Sequence, residues 1–132
     1  MPCDYEIDTD LRLVRTRGWG VLTCADLTAN RLQMSQDPAF RSDFSQLADL
    51  REVTVIDLSA GDIRELASDS PFVPEARRAL VVATDVAFGL ARMYGTYRET
   101  ISSEDQIRIF RNIRDAEQWL GLPAPNAHAA KT

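Results

Sequence analysis

Hydrophobic positions along this chain change period several times, and each change marks an element. Near the start, "YEI" and "LRLVRTR" alternate weakly about Asp8-Thr9-Asp10, which predicts a hairpin of two short antiparallel strands joined by turn-forming residues. Gly18 and Gly20 flank Trp19 as the second strand ends, where glycine permits a sharp redirection into a helix. Thr23 reads as the N-cap of that helix with Asp26 three residues on, and Leu27, Thr28, Leu32 and Met34 as its core stripe, up to Pro38. The stretch "FSQLADLREVTVIDLS" holds a third strand, either 45–50 or 53–57. Ser59 is the natural N-cap of "AGDIRELAS", with Asp62 at N3, and the prolines of "DSPFVP" end that helix.

"RALVVA" is apolar on both faces, as expected of a strand in the middle of a covered sheet. A third helix follows from Asp85 to about Glu99, its stripe formed by Val86, Leu90, Met93 and Tyr97 and widened by Ala87, Ala91 and Tyr94. "QIRIF" is a fifth strand. Asn112 caps a last helix, "IRDAEQWL", with Asp115 at N3, Gly121 at C′ and Pro123 beyond, and Trp119 closes it onto the core with Ile113, Ala116 and Leu120. The order ββαβαβαβα predicts a single α/β domain over 1–122: a mixed sheet of about five strands, an N-terminal hairpin and about four helices. The Pro- and Ala-rich tail, 123–132, reads as disordered.

Composition narrows the function. At 132 residues the chain suits one domain with one real core. The longest apolar run, "ALVVA", is too short for a transmembrane segment, and the acidic N-terminus lacks the regions of a signal peptide, which points to the cytoplasm. Two cysteines, Cys3 and Cys24, and one histidine, His128 in the tail, predict reduced thiols, no metal site and no cofactor. A net charge of −5 repels nucleic acid, and the arginines are scattered rather than clustered.

The segments "GVLTCADL", "DPAF", "LADLREV", "ARRALVVATDVAFGLARMYG" and "IRIFRNIRDAEQWLGL" together resemble the bacterial SpoIIAA-like family, which is grouped in fold with STAS and SEC14-like domains. The resemblance runs from Tyr5 to Leu122 and is most specific at Arg78-Ala79, at the Phe-Gly-Leu-Ala-Arg-Met helix and at the closing Trp-Leu. It implies a SpoIIAA-like (STAS-like) sheet-and-helix sandwich and no particular activity. It also draws attention to Ser59, because the sporulation antagonist that names the fold is switched by phosphorylation of a serine opening the helix after the third strand. Here Leu58 separates Asp57 from Ser59, and both Asp57 and Asp62 would repel a phosphate, so a plain N-cap is the simpler role.

Other candidates lie at the third helix. Thr84 and Asp85 stand where the fourth strand ends, the edge at which open α/β sheets bind ligands, and Asp85 also suits an N-cap. Arg92, with Tyr94 and Arg98 on the same helix, is a candidate clamp for an anion or carboxylate, its alternative being a surface ion pair with Asp85 or Glu99. Gly89 and Gly95 inside one helix suggest close approach of a neighbouring element, a ligand or a second subunit, and make them candidate interface residues of a homodimer. The leading reading is a non-catalytic binding or protein-interaction module. The alternatives are a carrier of a lipid or other small hydrophobic or anionic ligand, and a small enzyme with a site around Asp85 and Arg92.

Overall fold

The chain is described from Pro2 to Pro123 by a computed structural model, which places nine elements in the order β1 (Cys3–Asp8), β2 (Leu13–Thr23), α1 (Cys24–Ser35), β3 (Ser45–Asp57), α2 (Ala60–Ala67), β4 (Arg77–Val81), α3 (Asp85–Ile101), β5 (Gln106–Phe110) and α4 (Ile113–Leu120). The tail expected to be disordered, with His128, lies outside the described residues apart from Pro123. The sheet order is β1-β2-β3-β4-β5, with β1 antiparallel to β2 and all other pairs parallel. Each parallel connection steps one place in the same direction, so right-handed crossovers put α1, α2 and α3 on one face. The fourth helix follows the last strand onto the opposite face.

Side-chain alternation sorts the sheet accordingly. Val14, Thr16, Gln46, Ala48, Arg78 and Leu80 point toward α1–α3, while Leu13, Leu47, Ala79 and Val81 pack with Ala116 under α4. Trp119 is only half-buried there, its ring tilted against Phe110 and flanked by the guanidinium groups of Arg77 and Arg108. Among the described residues no helix is long and apolar enough to cross a membrane.

Several local expectations need correction. Gly18 and Gly20 do not end the second strand. It runs on to Thr23 through two register shifts, at Arg17/Trp19 and Gly20/Val21, as β-bulges do. At Gly18 a Cβ would meet Leu50 Cδ2 at 2.9 Å and displace that side chain, and Gly20 is favoured by its backbone, with φ +65°. The third strand is not one of two alternatives but spans both, pairing with β4 through 46–49 and continuing alongside β2 to Asp57.

Two helical stripes are rotated from their expected positions. In α1 the inward positions are Leu27, Asn30 and Met34, whereas Leu32 is 57% exposed and Thr28 is exposed. In α3 they are Ala87, Leu90, Ala91 and Tyr94, with Arg98 buried at the end, and Val86 is 69% exposed. In each helix a residue with a polar group takes an inward position, Asn30 in α1 and Tyr94 in α3, so hydrophobicity alone misplaces part of the contact stripe. Caps were more legible: Thr23 and Ser59 form capping boxes with Asp26 and Asp62, and Asn112 and Gly121, the latter left-handed at φ 75°, bound α4. At α3 the cap is Thr84, not Asp85.

A candidate ligand-binding cavity

Three parallel strands and three helices enclose a cavity of about 150 Å³, and residue size explains why it stays open. Ala48 on β3 and Ala87 and Ala91 on α3 are small where the layers face each other. Helix α2 packs on α1 and α3 rather than directly on the sheet, and reaches the space only through Ile63 and Leu66. The lining has a direction. Toward the carboxyl ends of the strands it is Leu22, Ile56, Leu58, Val82 and Leu90, wholly apolar. Toward their amino ends it gathers Thr16, Gln46, Arg78, Tyr94, Asn30 and Arg31. From Arg78 to Val82 the rise along the strand is about 13 Å, so polar and apolar ends are separated by the length of a small molecule.

Arg78 anchors the polar end. Adjacent arginines in a strand covered on both faces must send one side chain to each face. Arg77 therefore turns toward α4, where its Nη1 donates to the Trp119 carbonyl at 2.7 Å, and Arg78 turns inward, 9% exposed. Its Nε donates to Gln46 Oε1 at 3.1 Å, Gln46 Nε2 donates to Thr16 Oγ1 at 3.0 Å, and its Nη2 donates to the Tyr94 hydroxyl at 3.0 Å. The rings of Phe72 and Tyr94 lie 5.0 and 5.5 Å from the guanidinium carbon, which offsets part of its desolvation. Among the described residues Nη1 has no partner and no carboxylate pairs with this side chain. An arginine keeps its charge at neutral pH, so a positive charge is enclosed here without a counter-ion.

The other buried arginine is satisfied differently. Arg98, which the sequence groups with Arg92 and Tyr94, donates through Nε to Asp105 at 2.6 Å and through Nη1 to the Ala67 carbonyl at 2.9 Å, so it ties α3 to the end of α2 and to the turn before β5. Its hydrogen bond to the Asp105 carboxylate raises the guanidinium pKa still further. Arg31 is likewise spent on the carbonyls of Leu66 and Asp69.

Of the residues singled out in the sequence, Tyr94 alone lines the cavity. Thr84 accepts from the Ala87 amide at 3.1 Å, and the exposed Asp85 pairs with Arg111 at 2.6 Å. Arg92 is exposed and neither hydrogen bonded nor ion-paired within the described residues, so neither ion pair foreseen for it forms. The sheet explains the displacement: strand order never reverses, so there is no switch-point crevice at the carboxyl edge where Thr84 and Asp85 stand. Ser59 is engaged in its capping box. At Gly89 and Gly95 no atom lies within 4 Å of where a Cβ would sit, so packing within the chain is not what these glycines serve.

Sequence reasoning missed Arg78, Gln46 and Thr16. The available signal was the Arg77-Arg78 pair at the head of an otherwise apolar strand. It also missed a grouping of Cys24, Asp62 and Glu65, whose ligand atoms lie within 4.8 Å of one another across α1 and α2; Asp62 there is already committed to the Ser59 amide. Cys3 is buried with its thiol donating to the Asp26 carbonyl at 3.4 Å, and burial, aided by the nearby Asp26 carboxylate, raises its pKa.

No protein-family model matches the sequence, and no curated protein matches it either. Among solved structures, the chain is similar to an uncharacterized protein from the DUF3478 family with a SpoIIAA-like fold from Shewanella loihica PV-4, at 18% identity and a TM-score of 0.59, over 89% of this chain and 93% of that one. With its five-stranded mixed sheet, antiparallel N-terminal hairpin and four helices, and this likeness over most of its length, the chain has the SpoIIAA-like fold that its sequence resembles.

Proposed function

We propose that this protein is a non-catalytic binding module that holds a small amphipathic anion between the sheet and α1–α3. One observation carries the reading: Arg78, buried and charged, has an unpartnered Nη1 and no acidic partner among the described residues, and it stands at the polar end of a cavity whose other end is apolar. A buried unpaired charge is strongly unfavourable unless something neutralises it, and an anion with an apolar body would fill both halves of this space. Catalysis fits less well, because the described lining contains no histidine, cysteine, serine or carboxylate to act as nucleophile or base.

Mass spectrometry of the protein purified from its own cells tests this. A small organic acid should be recovered from the wild type and be absent from Arg78→Met of equal helicity. Recovery of a stoichiometric protein partner, with no small molecule, would favour an interaction module instead.

The open backbone at Gly89 favours a second reading, in which α3 meets a second copy of the chain. Gly89 and Gly95 lie about 120° apart around the helix, so one flat contact would use Gly89 with Arg92 and Thr96 rather than both glycines. A wild-type dimer in sedimentation velocity that Gly89→Leu converts to a folded monomer would support it; a wild-type monomer at micromolar concentration would end it.

A further inference from the structure

Resting on the proposed binding role, we infer that the anion is a small monocarboxylate, with one carboxylate on an apolar body of roughly six to eight carbons. The donor inventory at the polar end points to this class. Gln46 Oε1 already accepts from Arg78 and Gln46 Nε2 already donates to Thr16. The Tyr94 oxygen accepts from Arg78 Nη2 and the Thr16 oxygen from Gln46 Nε2, which leaves both hydroxyl protons to donate, while Arg78 Nη1, unpartnered but enclosed, contributes its share of the positive charge. Hydroxyl donors beside the unpaired charge of Arg78 call for a group that only accepts and is negatively charged.

A carboxylate meets both conditions with two oxygens. A phosphate monoester carries about −1.5 to −2 charges and three acceptor oxygens, more than Arg78 alone neutralises, and Arg31, the other cation of the lining, is turned to the carbonyls of Leu66 and Asp69. An amine repeats the charge already present, and a neutral amide leaves it uncompensated. Volume sets the body: a cavity of about 150 Å³ is large enough for a benzene-sized group and well below the space that larger organic ligands occupy. A long acyl chain would extend beyond this space, so the volume favours a compact acid over the lipid alternative.

The test is a calorimetric and NMR titration of the full chain with benzoate, phenylacetate and hexanoate against phenyl phosphate, benzamide, benzylamine, toluene and palmitate. The compact carboxylates should bind with dissociation constants of about 0.1–1 mM, a range consistent with ligands of this size. Arg78→Met should weaken them about tenfold or more and Tyr94→Phe by a smaller factor, with chemical-shift changes centred on Arg78, Tyr94 and Leu80. Tyr94→Phe keeps the test alive if Arg78→Met fails to fold. Phenyl phosphate binding more tightly than benzoate, still dependent on Arg78, overturns the carboxylate class and leaves the anion-binding role standing. Preferential uptake of palmitate overturns the size. Toluene or benzamide binding as well as benzoate, unaffected by Arg78→Met, overturns both proposals, as does a panel in which nothing binds.

Discussion

Arg98→Met should lower the stability of the fold by about 3–5 kcal/mol in urea denaturation, close to the largest effect of any single substitution in this chain. Both partners of the Arg98–Asp105 pair are almost fully enclosed, with side chains 7% and 6% exposed. Removing the cation leaves the carboxylate alone in a low-dielectric space where its Oδ1 already lacks a partner. The Ala67 carbonyl at the end of α2 is orphaned in the same step. Helix α2 packs on α3 through Ile63, Leu66 and Ala67, and Arg98 adds a hydrogen bond to its carboxyl end. A melting point about 10–15 °C lower is the corresponding thermal signature. The double variant Arg98→Met/Asp105→Leu removes both charges together and should recover most of the loss, because burying an apolar pair avoids the desolvation of two ions. Failure of the double variant to recover would show that the hydrogen bond to Ala67, rather than the ion pair, holds the helices together.

Replacing the other buried arginine should act with the opposite sign. Thr16→Val, Gln46→Leu and Arg78→Met together exchange a connected polar network for apolar side chains of similar size. The expected result is a gain of about 1–4 kcal/mol, as for other buried ionic groups replaced by hydrophobic ones. Changing all three avoids leaving Gln46 or Thr16 with an unmatched group. Tyr94 is half-buried and keeps its hydroxyl in this variant. Such a variant should be more stable than the wild type and blind to carboxylates, the trade expected when a site retains an unfavourable charge for binding. Urea denaturation of the ligand-free protein reads the sign directly. A loss of more than about 2 kcal/mol would mean that the network stabilises the empty fold, and the case for a bound anion would fall with it.

The two arginines also show where reading residues in order reaches its limit. Element order was legible because it rests on local physics: the 2- and 3.6-residue periods, and capping at Thr23, Ser59 and Asn112 that depends only on residues a few positions away. The strand-and-helix order, through right-handed crossovers, carries the fold most of the way, and a sheet and four helices were readable before any contact was known. What stayed hidden depends on which surfaces meet. Nothing local distinguishes Arg78, with no acid beside it, from Arg98, whose partner lies seven residues along at Asp105. Leu32 and Val86 are apolar yet exposed, while the polar Asn30 is buried on the cavity side of α1 and Tyr94, expected on the apolar face of α3, turns its hydroxyl to Arg78. By itself the sequence determined the alternation that forces one of Arg77 and Arg78 inward. Only tertiary packing decided that this arginine would face a cavity rather than a carboxylate, because the charge on one strand and the partners available to it come from segments brought together by the fold.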